Sequence, residues 1–149
     1  MIDGTIAIIL HATESKNKVL SSIVNNLNII IKEDKLIVKE MKGHHGNPLY
    51  YCIIKISEKE AISILRKIKQ SLSDTHKLLN EIDEYFEGST LHLRLNKQKM
   101  CENIVELGGE DVLKITLNNI TKEAILKILG APKEYGSSYE KDFSNLTQK

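Results

Sequence analysis

The sequence predicts an α+β fold: a single mostly antiparallel sheet with helices packed on one face, in the order β-α-β-β-α-α-β-β-α. Three observations point there. Leu91, Leu93 and Leu95 alternate with His92, Arg94 and Asn96, the period-two signature of a strand with one apolar face. Val19, Leu20, Ile23, Val24 and Leu27 recur at helical spacing and give one apolar stripe. The two patterns mix without strict strand–helix alternation, which disfavours a parallel sheet. The 149 residues, 41% hydrophobic and 28% charged, suit one globular domain over 1–132 and a polar, aperiodic tail over 133–149.

Residues 5–11 are apolar and β-branched on both faces, as in a central buried strand. Thr13 is placed to cap a helix over 14–27, with Glu14 as an acid in its first turn. Residues 36–41 and 49–56 read as hairpin strands around Gly43-His44-His45-Gly46-Asn47-Pro48. The preceding Ile29-Ile30-Ile31 joins or leads into them. Ser57 and Glu60 spell a capping box. Two stripes, Ala61, Leu65, Ile68, Leu72 and then Leu78, Leu79, Ile82, Tyr85, Phe86, give two helices or one broken helix over 58–87, with Gly88 as C-cap. Residues 97–101 suit a short helical turn. Gly108-Gly109 turns the chain into a strand over 112–117. Thr121 caps a last helix reaching Leu129, stapled by Ile120 and Ile125.

Charge and motifs exclude more than they select. With 21 basic and 20 acidic residues, the net charge of +1 is not that of a strong nonspecific nucleic-acid binder. Cys52 and Cys101 are too few for a disulfide framework or a zinc quartet and read as buried free thiols. The apolar run 6–10 is far short of a membrane span, and no cleavable leader is visible, so a cytoplasmic protein without a membrane partner is expected. There is no phosphate-binding Gly loop, no dinucleotide fingerprint and no nucleophile elbow. Glu110 and Asp111 are adjacent, and adjacency does not make two carboxylates converge. No catalytic residue and no cofactor are therefore expected. One alternative is a metal-dependent enzyme in which His11, His44 and His92 gather around zinc, although no HxxxH or HExxH spacing supports it.

The basic groups are unevenly placed. Residues 58–90 hold five basic and seven acidic side chains, so the positive excess lies on the strand-bearing segments. Arg94, Lys97 and Lys99 form one cluster; Lys39, Lys42, His44 and His45 form another around the hairpin tip. His92, Arg94 and Lys114 fall on outward strand positions, and whichever of Tyr50 and Tyr51 points outward adds a stacking surface. An open sheet face with cations and an aromatic holds RNA phosphates and unstacked bases. An ordinary solvated strand face is the plain alternative.

Four segments occur in order: His11-Ala12-Thr13-Glu14, Gly43-His44-His45-Gly46-Asn47-Pro48, Leu91-His92-Leu93-Arg94-Leu95-Asn96-Lys97-Gln98 and Gly109-Glu110-Asp111-Val112. Over residues 4–118 they resemble an archaeal family of RNA-binding proteins or exosome subunits. That family is similar in fold to the ribosomal protein that binds five-S RNA and has been likened to double-stranded-RNA-binding domains. The resemblance implies a non-catalytic RNA-associated protein with RNA and RNA-processing or exosome proteins as partners. It carries His11, Gly43, His44, Gly46, Asn47, Arg94, Lys97 and Gln98 into the site, beside His92, Lys99, Lys42 and His45. Arg94 and Lys97 would contact phosphate, and Gln98 a base edge or 2′-hydroxyl. Asn96 stands where the family usually has an acid before Lys-Gln. A homodimer pairing through the exposed strand 36–41, without direct RNA binding, is the alternative from another functional class.

Overall fold

The computed structural model describes residues 1–72 and 75–130. The expected tail over 133–149, and Ser73 and Asp74, lie outside the described residues. β1 (Asp3–His11) leads into α1 (Lys16–Leu27); β2 (Leu36–Lys42) and β3 (Pro48–Ile56) form the hairpin; α2 (Glu58–Ser71) and α3 (Thr75–Asn80) follow. Then come β4 (Phe86–Glu87), β5 (Thr90–Asn96), α4 (Lys97–Cys101), β6 (Val112–Asn118) and α5 (Lys122–Ile128). The six strands form one sheet in the order β2-β3-β1-β6-β5-β4, every pairing antiparallel.

The alternation in the sequence fixes which face is covered. Ile6, Ile8 and Leu10 of β1, Cys52, Ile54 and Ile56 of β3, Leu91, Leu93 and Leu95 of β5, and Leu113, Ile115 and Leu117 of β6 are buried together. Ile23 and Leu27 of α1, Ile64, Leu65 and Ile68 of α2, and Ile125 and Leu126 of α5 close over them. α1 packs on α2 and α4, and α2 on α5 and β1. No described helix packs on the opposite face. Cys52 is a free thiol whose burial pushes it above its ordinary value, so it is inert; Cys101, read as buried, is only half-buried.

Local chemistry explains the boundaries. The Ser57–Glu60 capping box is present, and Thr121 accepts from the Ala124 N–H. The first helix differs from expectation. It starts at Lys16 with Ser15 as N-cap, because Glu14 has been drawn back into a turn with His11. The helical reading of the stripe ending in Phe86 is also corrected. After a 3-10 turn over Ile82–Tyr85 the chain straightens, Phe86 pairs with Leu91 and Glu87 with Thr90, and Gly88 turns a tight hairpin at φ 63°. Ile29-Ile30-Ile31 forms no strand. Ile29 is buried, Ile30 is exposed, and the segment leads through a 3-10 turn at Glu33–Lys35 into β2. Gly4 pairs with Leu117 across β1 and β6, and a Cβ there would overlap the Thr116 carbonyl oxygen.

Candidate nucleic-acid interface

The antiparallel order brings four chain segments to one end of the sheet: the end of β1 at His11, the β2–β3 turn over 43–47, the β5–α4 junction at Asn96-Lys97, and the entry to β6 at Asp111. At their centre is Lys97. Expected at the surface as a phosphate contact, it is instead 1% exposed. Its Nζ donates to the Ile9 carbonyl at 2.6 Å and to Glu14 Oε1 at 2.8 Å, and pairs with Asp111 Oδ2 at 2.9 Å. An ammonium has three donors, and three acceptors meet it. The assignment of Lys97 to phosphate is thus corrected: its charge is committed inside the protein.

Neighbouring groups build on this pin. Glu14 Oε1 also accepts the His11 N–H at 2.9 Å. Gln98 Nε2 donates to Asp111 Oδ2 at 3.1 Å, and His11 Nε2 stands 3.7 Å from the same oxygen. Burial alone would push Glu14 up, but the bonds from Lys97 and the His11 amide outweigh it and hold the carboxyl below its ordinary value of 4.5. A lowered folded value means that Glu14 stabilises the fold fully above pH 4.5 and loses this as pH falls through the folded value. Glu14→Gln should therefore flatten the acid limb of stability, read as the urea midpoint against pH; an unchanged limb would show that the carboxylate contributes nothing.

α4 is held at both ends. Asn96 is its N-cap, with Oδ1 accepting the Lys99 N–H at 3.0 Å. Asn26 of α1 is buried and donates Nδ2 to the Ser22 and Met100 carbonyls at 2.8 and 3.0 Å. Gly109, at φ 108°, passes so close to the Asn96 amide that a Cβ would lie 2.9 Å from Nδ2. The side chains of Gln98 and Lys99 are left exposed on this fixed turn.

His11, Glu14 and Asp111 each offer a ligand atom within 4.8 Å of the others, among the described residues. The Lys97 ammonium already sits between both carboxylates and pairs with each. The expected zinc trio of His11, His44 and His92 does not assemble. His44 stacks edge-on with His45 at 5.0 Å in the exposed turn, and His92 Nε2 lies 3.6 Å from Glu87. That turn is tight: Gly43 N–H donates to the Asn47 carbonyl at 2.6 Å, and Gly46 sits at φ 79°. Lys42 is exposed beside it.

The open sheet face holds the remaining candidates. Arg94 and Lys114 are direct cross-strand partners, and His92 is opposite Thr116. Neither Arg94 nor Lys114 makes an ion pair with a described residue. Directly opposed residues have Cβ atoms only about 5 Å apart, so two like charges there repel. Tyr51 is the outward tyrosine, in a row with Ile9 and Lys39, while Tyr50 packs towards the core opposite Leu10. Ile9 and Ile37 are exposed on this face. A cleft of about 630 Å³ lies elsewhere, between α1 and the 30–36 segment, lined by Leu20, Val24, Ile31 and Leu36. It gathers none of the polar groups above. No described helix is long and apolar enough to cross a membrane.

Comparison with known proteins adds a family. A family model described as RNA binding matches residues 5–119. No curated protein matches. Among solved structures, the chain resembles a DUF54 protein from Sulfolobus solfataricus with TM-score 0.68 and 26% identity, covering 86% of this chain and 97% of that one. A DUF54 protein from Archaeglobus fulgidus gives TM-score 0.66 and 23% identity over 87% and 96% of the two chains. Another from Methanothermobacter thermautotrophicus gives 0.63 and 19% over 85% and 90%.

Proposed function

The chain belongs to the RNA-binding family, and on that footing we propose that it holds structured RNA on the open face and upper end of its sheet, without catalysing a reaction on it. The observation that carries this is the Arg94–Lys114 pair. Two cations directly opposed on an uncovered face cost stability unless an anion neutralises them, and a phosphate backbone is such an anion. Tyr51 with Ile9 offers a stacking surface for an unpaired base. Gln98 and Lys99 on α4, His11, and the turn bearing Lys42, His44 and His45 form the second contact region. Lys97, itself in the third of the segments around it, ties down the first and the fourth. The neutral overall charge favours recognition of RNA shape over indiscriminate attraction. Filter binding of a hairpin RNA with an unpaired loop should show saturable affinity that falls steeply between about 50 and 200 mM salt. No binding at the lowest salt would refute the reading.

The resemblance extends the proposal to archaeal RNA processing, with exosome proteins as partners; affinity capture that brings down RNA but no exosome subunit would remove that extension. Self-pairing of two copies is favoured by one observation: β2 is an edge strand with Ile37, Val38 and Met41 exposed. Light scattering that reports a monomer would dismiss it.

A further inference from the structure

α2 carries a stripe of cations on its outer side. Ala61, Ile64, Leu65 and Ile68 are its buried positions. Lys59, Ser63, Arg66, Lys67 and Gln70 recur at helical spacing on the side away from them. Over 58–90 the acids outnumber the bases, seven to five. Yet all of those bases except Lys77 lie on α2, and its acids, Glu58 and Glu60, are confined to the first turn. Helix geometry thus separates charges that a count along the chain averages out. The stripe lines an open cleft of about 470 Å³ with Asn28, and no acid borders it. Asn28, Lys59 and Ser63 also border a second cleft, of about 420 Å³, which adds Lys32 and Lys35. The Ser63 hydroxyl donates to the Asn28 carbonyl and so links the two segments. None of these five cations makes an ion pair with a described residue. Glu60, the acid bordering the second cleft, is engaged: its Oε1 accepts from the Ser57 N–H and hydroxyl. Glu33 and Asp34 of the intervening turn border neither cleft.

We propose that these two adjoining clefts form a track for the phosphate backbone of RNA, on the side of the protein away from Arg94 and Lys114. The inference rests on the RNA-binding reading and deepens it. α2 closes over the buried face of the sheet, so its outer stripe looks away from the open one. Like charges gathered without partners repel, and a polyanion running past them relieves each in turn. Lys59 and Arg66 are seven residues apart, about 10 Å along the helix axis. From Lys59 the row continues to Lys32 and Lys35. A row of that length suits a chain of phosphates, whereas one small anion would engage a single end of it. Arg66 can hold a phosphate with two N–H groups, and the lysines act as point charges. Gln70 adds a donor for phosphate or 2′-hydroxyl oxygen. No aromatic ring borders either cleft, so the track follows the backbone and stacks no base. With contacts on both sides, one chain holds two RNA segments at once.

The test counts short RNA hairpins bound per chain by sedimentation at about 50 mM salt. The wild type should take two. A triple variant, Lys59→Gln with Arg66→Gln and Lys67→Gln, should take one, and so should Arg94→Ala with Lys114→Ala. Glutamine forms helix about as well as lysine or arginine, so the triple variant should melt with the wild type, and a melting curve checks this. A triple variant that matches the wild type in hairpin count and in salt dependence would overturn the track and leave the open-face reading intact. Loss of all hairpin binding in the triple variant, with the Arg94→Ala and Lys114→Ala protein unchanged, would keep the track and overturn the open-face site. Wild-type protein that binds no hairpin would overturn both. A polyglutamate peptide bound by the wild type and lost in the triple variant, with the hairpin count unchanged, would assign the stripe to an acidic protein and overturn the track.

Discussion

Lys97→Ala should lose about 3–5 kcal/mol of folding stability, seen as a fall of roughly 6–20 °C in Tm. Removing the ammonium leaves the Glu14 and Asp111 carboxylates facing each other without a cation, and the Ile9 carbonyl without its donor. Lys97→Arg should not restore the fold, because a planar fork cannot reproduce three acceptors arranged around one nitrogen. Replacing the whole cluster tells whether the charge or its orphaned partners matter. A triple variant with Lys97→Met, Glu14→Leu and Asp111→Leu should recover most of the loss, since a well-packed apolar replacement of a buried ion pair is often neutral. If Lys97→Ala melts within about 2 °C of wild type, less than 1 kcal/mol is at stake and the ion pair does not hold the sheet end together.

Lys114→Glu should move stability and RNA affinity in opposite directions. Opposite Arg94 the new carboxylate turns a repulsive cross-strand pair into an attractive one, raising stability by about 0.2–1 kcal/mol. The same change removes one phosphate contact and adds a repelling charge. Hairpin RNA binding should weaken by more than about tenfold at moderate salt. The double variant Arg94→Ala with Lys114→Ala should melt no lower than wild type and lower the slope of log affinity against log salt by about 2. An ordinary solvated strand face would give the same stability gain with no change in binding; that result would remove the open face from the RNA interface.

Much of this architecture is written in the sequence as period. The leucines of β5 and β6, the stripes of α1 and α2, and the caps at Ser57 and Thr121 specify elements and their buried sides locally. Boundaries were less legible where a tertiary contact competed with a local one. Glu14 looks like a helix-start acid and becomes a ligand of Lys97; Phe86 fits a helical stripe and becomes a strand once Leu91 is beside it. The site was legible in its membership but not in its wiring. Lys97 reads as a surface cation within its basic cluster, yet it continues the inward parity of Leu91, Leu93 and Leu95, and Asp111 continues that of Leu113, Ile115 and Leu117. Only the strand register, with Asn96 opposite Val112, sets those two positions side by side. Glu14 reaches them from a segment 83 residues away, and no local pattern in the chain signals that meeting.

That distance has a kinetic consequence. Lys97 Nζ takes its partners from Ile9 and Glu14 across 88 and 83 residues, so the cluster cannot form until the first and fifth strands are already in one sheet. Closing such long loops costs chain entropy before the contacts they bring together reward it. Interactions absent from the transition state govern how fast a chain leaves the native state more than how fast it reaches it. If the buried lysine forms its contacts after the transition state, Lys97→Ala should speed unfolding and leave the folding rate unchanged, as read from a chevron plot.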